Sequence, residues 1–315
     1  MGNERSEHPR GLRMDRYTLS VTVDIEDWYH IPSVTGSPFS VYRDTAEFFQ
    51  RWEGRYDYLT EPTLRVLDLL EGQGITATFF VVADVADRYP GLVEAIAARG
   101  HEIACHGLHH ACTLDPTTKQ PFIPPREFEE QTGTAKAILE KISRSPVIGY
   151  RAPSAYLGGW MLDSLERMGF LYDSSVSVNS LYNKTDSDLN GVGTTPYSPS
   201  PGTLVPGGNR QMVEVPFPYW QAMGLRIPSA GGPVLRFLGS GVVLRGIRQS
   251  LARGPTLLYF HPLDIAREKF PDVGRGRPLY WAIKGERVER RIREVLKGLS
   301  EVPRATLGEI RKRIT

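Results

Sequence analysis

Residues 100–110 read GHEIACHGLHH, and their reading decides how the rest of the chain is understood. HEIAC (101–105) is a short, largely apolar run that stops at His106, so a buried strand hands over to a polar segment rich in histidine. The same unit recurs on both sides. Upstream, ITATFFVV (75–82) is predicted as a strand and Pro90 to Arg99 as the helix that links it to 101–105. Further upstream, YTLSVTVDI (17–25) is rich in β-branched residues and runs straight into Glu26 and Asp27. Thr60 to Gly72 carries Leu64, Leu67 and Leu70 at helical spacing, with Thr60 as the expected N-cap and an early Pro62. Downstream come a helix over about Arg126 to Ser143, a strand at PVIGY (146–150), a helix over Gly159 to Met168 and a strand at GFLYD (169–173). Strand and helix keep alternating, which argues an α/β fold whose parallel sheet is closed or covered by helices, rather than a sandwich.

Residues 179–210 break this rhythm with Asn, Ser, Thr, Gly and Pro, and read as a long surface loop, either a disordered insertion or a substrate-facing lid. Regularity resumes with MVEVPF (212–217), an amphipathic stretch over about Val234 to Arg253, the apolar strand TLLYF (256–260) and two charged helices at the C-terminal end. No repeat or linker divides the chain, so the expectation is a polar, flexible tail at 1–16 and a single domain over 17–315.

The chain has 315 residues, 40% of them apolar, enough to bury a full core. Its 38 basic and 36 acidic residues leave a formal charge of +2, which gives no electrostatic footprint for nucleic acid or a membrane surface. The polar start lacks the apolar run of a signal peptide or spanning helix, and Cys105 and Cys112 are the only cysteines. Both features point to a soluble, cytoplasmic enzyme without a transmembrane segment.

The chemistry collects where strands end. Asp24, Glu26 and Asp27 close the first strand, His106 the third, Arg151 the fourth, Asp173 the fifth and His261 the strand near the C-terminus. In parallel α/β folds these ends share one rim, and active sites form there. His106 and His110 are four apart, and on one helical turn that spacing sets two imidazoles on one face to hold a divalent metal; the bland alternative is two surface histidines. DIED (24–27) offers the carboxylate that would complete the set, and two histidines with one carboxylate leave room for water, as a catalytic site must. His109 lies between the ligands and points elsewhere. A carboxylate near such a metal takes the proton of the attacking water, and His261 is the candidate acid for the departing amine, although a lone histidine at a strand end is more often structural.

Together these residues resemble the polysaccharide deacetylases with the NodB-homology domain, carbohydrate esterase family four. GHEIACHGLHH is similar to the family's GHEI segment and metal-binding HxxxH, ITATFF (75–80) to its second strand, YRAPS (150–154) to its arginine motif, and LLYFHPLDI (257–265) to its histidine motif. The resemblance spans about residues 17–300 in the family's motif order, and DIEDW, YDSS (172–175), VEVPF and FHPLDI most resemble a branch linked to exopolysaccharide biosynthesis. It implies a distorted, incomplete β/α barrel that removes acetate from N-acetylglucosamine-type residues, with zinc as the usual metal.

The first motif departs from the family's pair of adjacent aspartates. The resemblance implies Asp24 as general base with Glu26 or Asp27 as metal ligand; strand alternation favours Glu26, a turn after Glu26 favours Asp27, and a shifted register would make Glu26 the base and Asp27 the ligand. Arg151 corresponds to the arginine that orients the catalytic aspartate and keeps it ionised. Asp173, and more weakly Asp264 and Glu214, are candidates to orient His261. Cys105 is expected in the core, and Cys112 has no assigned role. Trp28, Tyr29, Tyr156, Trp160, Tyr219 and Trp220 are candidate sugar-stacking residues. Two other readings compete: an amide or ureide hydrolase or small-metabolite deacetylase on the same fold, and a non-catalytic glycan-binding module.

Overall fold

In the computed structural model, residues 17–51, 57–269 and 282–314 are described, so the tail at 1–16 lies outside the described residues. Seven strands form one sheet: β1 (Leu19–Ile25), β2 (Thr78–Val81), β3 (Glu102–Cys105), β4 (Gly149–Tyr150), β5 (Tyr172–Asp173), β6 (Val213–Glu214) and β9 (Thr256–Phe260). Their order is β6-β5-β4-β3-β2-β1-β9, with every pairing parallel. The sheet curls into a half-barrel with helices outside, the distorted, incomplete (β/α) barrel of the NodB type. An antiparallel hairpin, β7 (Tyr219–Ala222) and β8 (Leu225–Pro228), stands apart from it; the strand-helix rhythm did not announce it.

Period-two alternation sorts the strand side chains onto two faces. Leu19, Val21, Val23 and Ile25 of β1, Phe79 and Val81 of β2, Ile103 and Cys105 of β3, and Leu258 and Phe260 of β9 join the large core under the helices. Phe80, Ala104, Tyr172, Val213 and Leu257 face the barrel interior instead. Its lower end is closed by Leu307 and Ile310 of the C-terminal helix, whose first N–H groups bond the Thr78 hydroxyl and the Glu102 carboxylate. The upper end is left for the site.

Several expected boundaries shift for identifiable reasons. Thr60 is the first residue of the helix Thr60–Glu71 rather than its cap, because the Asp57 carboxylate takes the N–H groups of Leu59 and Thr60. The amphipathic stretch 234–253 is two helices, Gly232–Phe237 and Gly239–Leu251, broken where Gly239 adopts φ +78°. Residues 179–210 contain no helix or sheet strand, yet Leu189, Val192 and Leu204 are buried in the main core. Arg210 pins the segment to the helix Gly159–Arg167 through Asp163 and Glu166, both at 2.7 Å. It is therefore a packed, irregular cap rather than a surface loop. No helix among the described residues is long and apolar enough to cross a membrane.

Candidate active site

Alternation continues past the strand ends and delivers the site. Asp24 is on the inward face of β1 and Glu26 lies two residues on; His106 lies two beyond Ala104, and His261 two beyond Tyr259. These side chains line one cavity of about 290 Å³ at the upper end of the barrel, together with His110 and Arg151.

The helical turn expected for HGLHH does not form. Residues 106–111 are an irregular loop in which Gly107 (φ +81°) and His110 (φ +55°) take left-handed conformations. Gly107 is required twice over, since a Cβ there would also come within 3.2 Å of Cγ of Pro153. The carbonyls of Gly107 and Leu108 accept the N–H groups of Ala83 and Asp84, fastening the loop to the end of β2. The two imidazoles thus meet by a different route from the one their spacing implies.

Nδ1 of His106 donates to the Arg151 carbonyl and Nδ1 of His110 to the His30 carbonyl, each at 2.8 Å, which turns the Nε2 atom of each ring toward the cavity. Nε2 of His110 is 2.7 Å from Oε2 of Glu26. Ligating atoms of Glu26, His106 and His110 all lie within 4.8 Å of one another. Donors bound to one ion at about 2.0–2.2 Å sit roughly 3–4 Å apart, so this set fits a divalent metal after small side-chain adjustments. Burial pushes His106 down to about 4, keeping it neutral as a ligand must be. Burial alone would raise Glu26, but His110, His261 and His106 outweigh it and hold its carboxyl below the usual range.

Asp27, the other candidate ligand, is turned away. It opens the short 3-10 helix Trp28–His30, accepting the Trp28 N–H at 2.8 Å and the Tyr89 hydroxyl at 2.5 Å, with Arg88 beside it at 3.6 Å. Burial pushes its carboxyl up to about 6. The chain turns only after Glu26, so Glu26 keeps the inward direction of β1 while Asp27 caps the next turn.

Arg151 is buried inside the barrel, 4.0 Å from the centroid of the Phe80 ring and 4.9 Å from that of Phe217. It donates to Oδ1 of Asp24 at 2.5 Å, to the Thr22 hydroxyl at 3.0 Å, and to the carbonyl and hydroxyl of Ser174 at 2.8 and 3.0 Å. Its fork therefore holds one oxygen of Asp24 and leaves Oδ2 toward the cavity, 4.0 Å from Nε2 of His106 and 3.9 Å from Nε2 of His261.

Nδ1 of His261 is 3.1 Å from Oδ2 of Asp264, and Arg236 backs that carboxylate at 2.5 Å from Oδ1. Burial opposes a charged His261, but Glu26, Asp264 and Asp24 outweigh it and push the imidazole up to about 9. Asp264 is thus the partner of His261, whereas Asp173 and Glu214 are not. Oδ2 of Asp173 accepts the Ser175 hydroxyl, and Oε1 of Glu214 accepts the N–H groups of Ser175 and Val176. Burial raises both acids, and they share a hydrogen bond that requires a proton.

Cys105 is in the core and Cys112 lines the cavity. Of the six candidate stacking aromatics, Tyr156 alone lines that cavity; Trp28 and Tyr29 pack on Phe48, and Trp160 packs on Phe128. His30 and Lys184 carried no signal in the sequence, because the first acts through its backbone carbonyl and the second arrives from the irregular cap; Ser174 lies within YDSS but its part in holding Arg151 did not show there.

The polysaccharide deacetylase family model matches residues 54–172, and a model described as a domain of unknown function (DUF3473), associated with exopolysaccharide deacetylases, matches 180–305. A peptidoglycan deacetylase-like protein of Gibberella zeae is 32% identical over 36% of this chain and 32% of its own length. A peptidoglycan-N-acetylglucosamine deacetylase of Bacillus cereus is 27% identical over 34% of this chain and 47% of its own. The chain thus spans a third to a half of the length of these relatives. A structure from Mycobacterium smegmatis assigned to the polysaccharide deacetylases superposes with TM-score 0.59 at 22% identity, covering 95% of this chain and 91% of that one. That likeness is one of fold.

Proposed function

We propose that this chain, which carries a polysaccharide deacetylase domain, is a metal-dependent carbohydrate N-deacetylase that hydrolyses the N-acetyl group of an amino sugar or amino-sugar glycan to acetate and a free amine. The observation that carries this reading is the convergence of Glu26, His106 and His110 with Asp24 and His261 in one cavity. Glu26, His106 and His110 would hold the ion, for which zinc suits two imidazoles and a carboxylate, and a bound ion supplies Lewis-acid chemistry.

The chain's own groups suit the proton traffic. Asp24 has Oδ1 occupied by Arg151, so Oδ2 is the atom that accepts the proton from the attacking water. His261 presents Nε2 to the same space, with Nδ1 held by Asp264, and donates a proton to the amine as the C–N bond breaks. The buried Arg151 guanidinium fixes which oxygen of Asp24 faces the water.

The test is elemental analysis of wild type and His106→Ala, with acetate release from N-acetylglucosamine oligomers assayed on the same samples. Near-stoichiometric metal that disappears in the variant, together with a drop in acetate release of about 10³-fold or more, is the expected result. Metal without acetate release from any oligomer would move the reading to amide or ureide substrates. Absence of metal in the wild type would favour a glycan-binding module.

A further inference from the structure

One wall of the cavity carries a cation that the hydrolysis does not use, and a second cation stands against the Tyr156 ring beside it. Lys184, from the irregular cap, lines it beside Tyr156 and Ala155. It also lines a small adjoining cleft with Tyr182, Phe217 and Tyr259, so it stands where two clefts meet. Its Nζ lies 5.3 Å from the centroids of the Tyr156 and Tyr182 rings, and Nζ of Lys119 lies 5.2 Å from that of Tyr156. Each ammonium donates to a single carbonyl, Lys184 to Ser154 at 2.9 Å and Lys119 to Pro116 at 2.5 Å.

An ammonium has three donors, so most of this capacity is unused among the described residues. Neither lysine has a carboxylate within 4.0 Å among the described residues. A cation over an aromatic ring accounts for one of them, but two like charges at one ring repel. Burial, and then the neighbouring Lys119, push Lys184 down against Cys112, while Asp115 is near enough to Lys119 to feel its charge without pairing with it.

We propose that Lys184 and Lys119, gathered around the Tyr156 ring, form a subsite for the carboxylate of an acidic sugar next to the N-acetylated residue, so that the preferred glycan contains uronic acid as well as amino sugar. The ring offers an apolar face for the pyranose, and the ammonium groups meet the charge that it carries. This inference rests on the deacetylase reading of the same cavity and names its substrate class.

The test is calorimetric titration of the full chain with two oligosaccharides: a tetrasaccharide alternating N-acetylglucosamine with glucuronic acid, and neutral tetra-N-acetylchitotetraose. The acidic ligand is expected to bind about tenfold more tightly at low salt, with the advantage shrinking as salt rises. Lys184→Gln, which keeps an N–H for the Ser154 carbonyl while removing the charge, is expected to abolish most of that preference. Lys119→Gln should reduce it by a smaller factor, and it carries the test if the first variant does not fold. Equal affinity for the two ligands in the wild type, or a preference that survives both substitutions, would overturn the proposal. Acetate release from the same ligands separates the two readings. Preference for the acid without any acetate release leaves the subsite standing and removes the deacetylase; acetate release without the preference does the reverse.

Discussion

The stretch from β1 to Arg151 and the stretch from residue 180 onward build the cavity in different ways. The first supplies Asp24, Glu26, His106, His110 and Arg151 from strand ends and the turns that leave them, with Asp24, Glu26 and His106 directed by alternation along the pleat and His110 by a loop fastened to the end of β2. The second supplies His261 from a strand end, but Asp264, Arg236 and Lys184 from a short helix, another helix and an irregular cap, held by ion pairs and carbonyl bonds. Metal ligands demand fixed directions, which regular backbone provides, whereas orienting a proton donor and receiving a substrate can be left to side chains that lock after packing. The candidate metal ligands therefore come from the sheet and the turns that leave it, and the side chains proposed to handle proton and glycan largely from what packs on it.

The sharpest way to break this contrast is to exchange the roles of adjacent acids. Glu26→Gln is expected to empty the metal site and lower acetate release by about 10³-fold, whereas Asp27→Asn should keep near-stoichiometric metal and lose only about 1–2 kcal/mol of stability through its Tyr89 and Trp28 bonds. Elemental analysis and denaturant midpoints on both variants read this directly; loss of metal in Asp27→Asn would return Asp27 to the ligand set.

A smaller effect tests the second region. Asp264→Asn is expected to retain metal and cut turnover by about 10–10²-fold, because the amide holds Nδ1 of His261 less firmly and no longer favours the cation. Steady-state rates set beside metal content check it, and unchanged turnover would reduce Asp264 to a structural partner of Arg236.

The mildest effect concerns the seam between the regions, where Asp173 of β5 and Glu214 of β6 share a proton. Burial raises both acids, Asp173 to about 6, so the folded chain binds more protons than the unfolded chain above the ordinary carboxylate range. The stability contributed by the pair is present in full below that range and is lost as pH rises through about 6. Replacing Asp173 with Asn should flatten this dependence by on the order of 2 kcal/mol, measurable as urea midpoints compared at about pH 4 and, above about pH 6, near neutrality.

Much of this was legible in order along the chain. Alternating strands and helices, and the polar residues that stop each strand, expressed the barrel and its rim, since a two-residue period must bury one face and a strand end must leave it. Strands β4 to β6 are shorter than their sequence pattern predicts, because apolar runs continue beyond the few residues that pair. The HGLHH spacing points to two histidines that do converge, but through another backbone, because left-handed φ values at Gly107 and His110 follow from packing against Pro153 and β2 and leave no periodic trace.

By itself, then, the sequence determined the fold class, the rim and the residue types able to hold a metal, because these follow from periodicities of two and 3.6 and from the chemistry of each side chain. Tertiary structure alone decided that Glu26 and not Asp27 faces the histidines, that Asp264 and not Asp173 holds His261, and that Lys184 of an aperiodic segment reaches the cavity. Each of these depends on where a chain turns after its last regular residue, and that is set by long-range contacts rather than by local pattern.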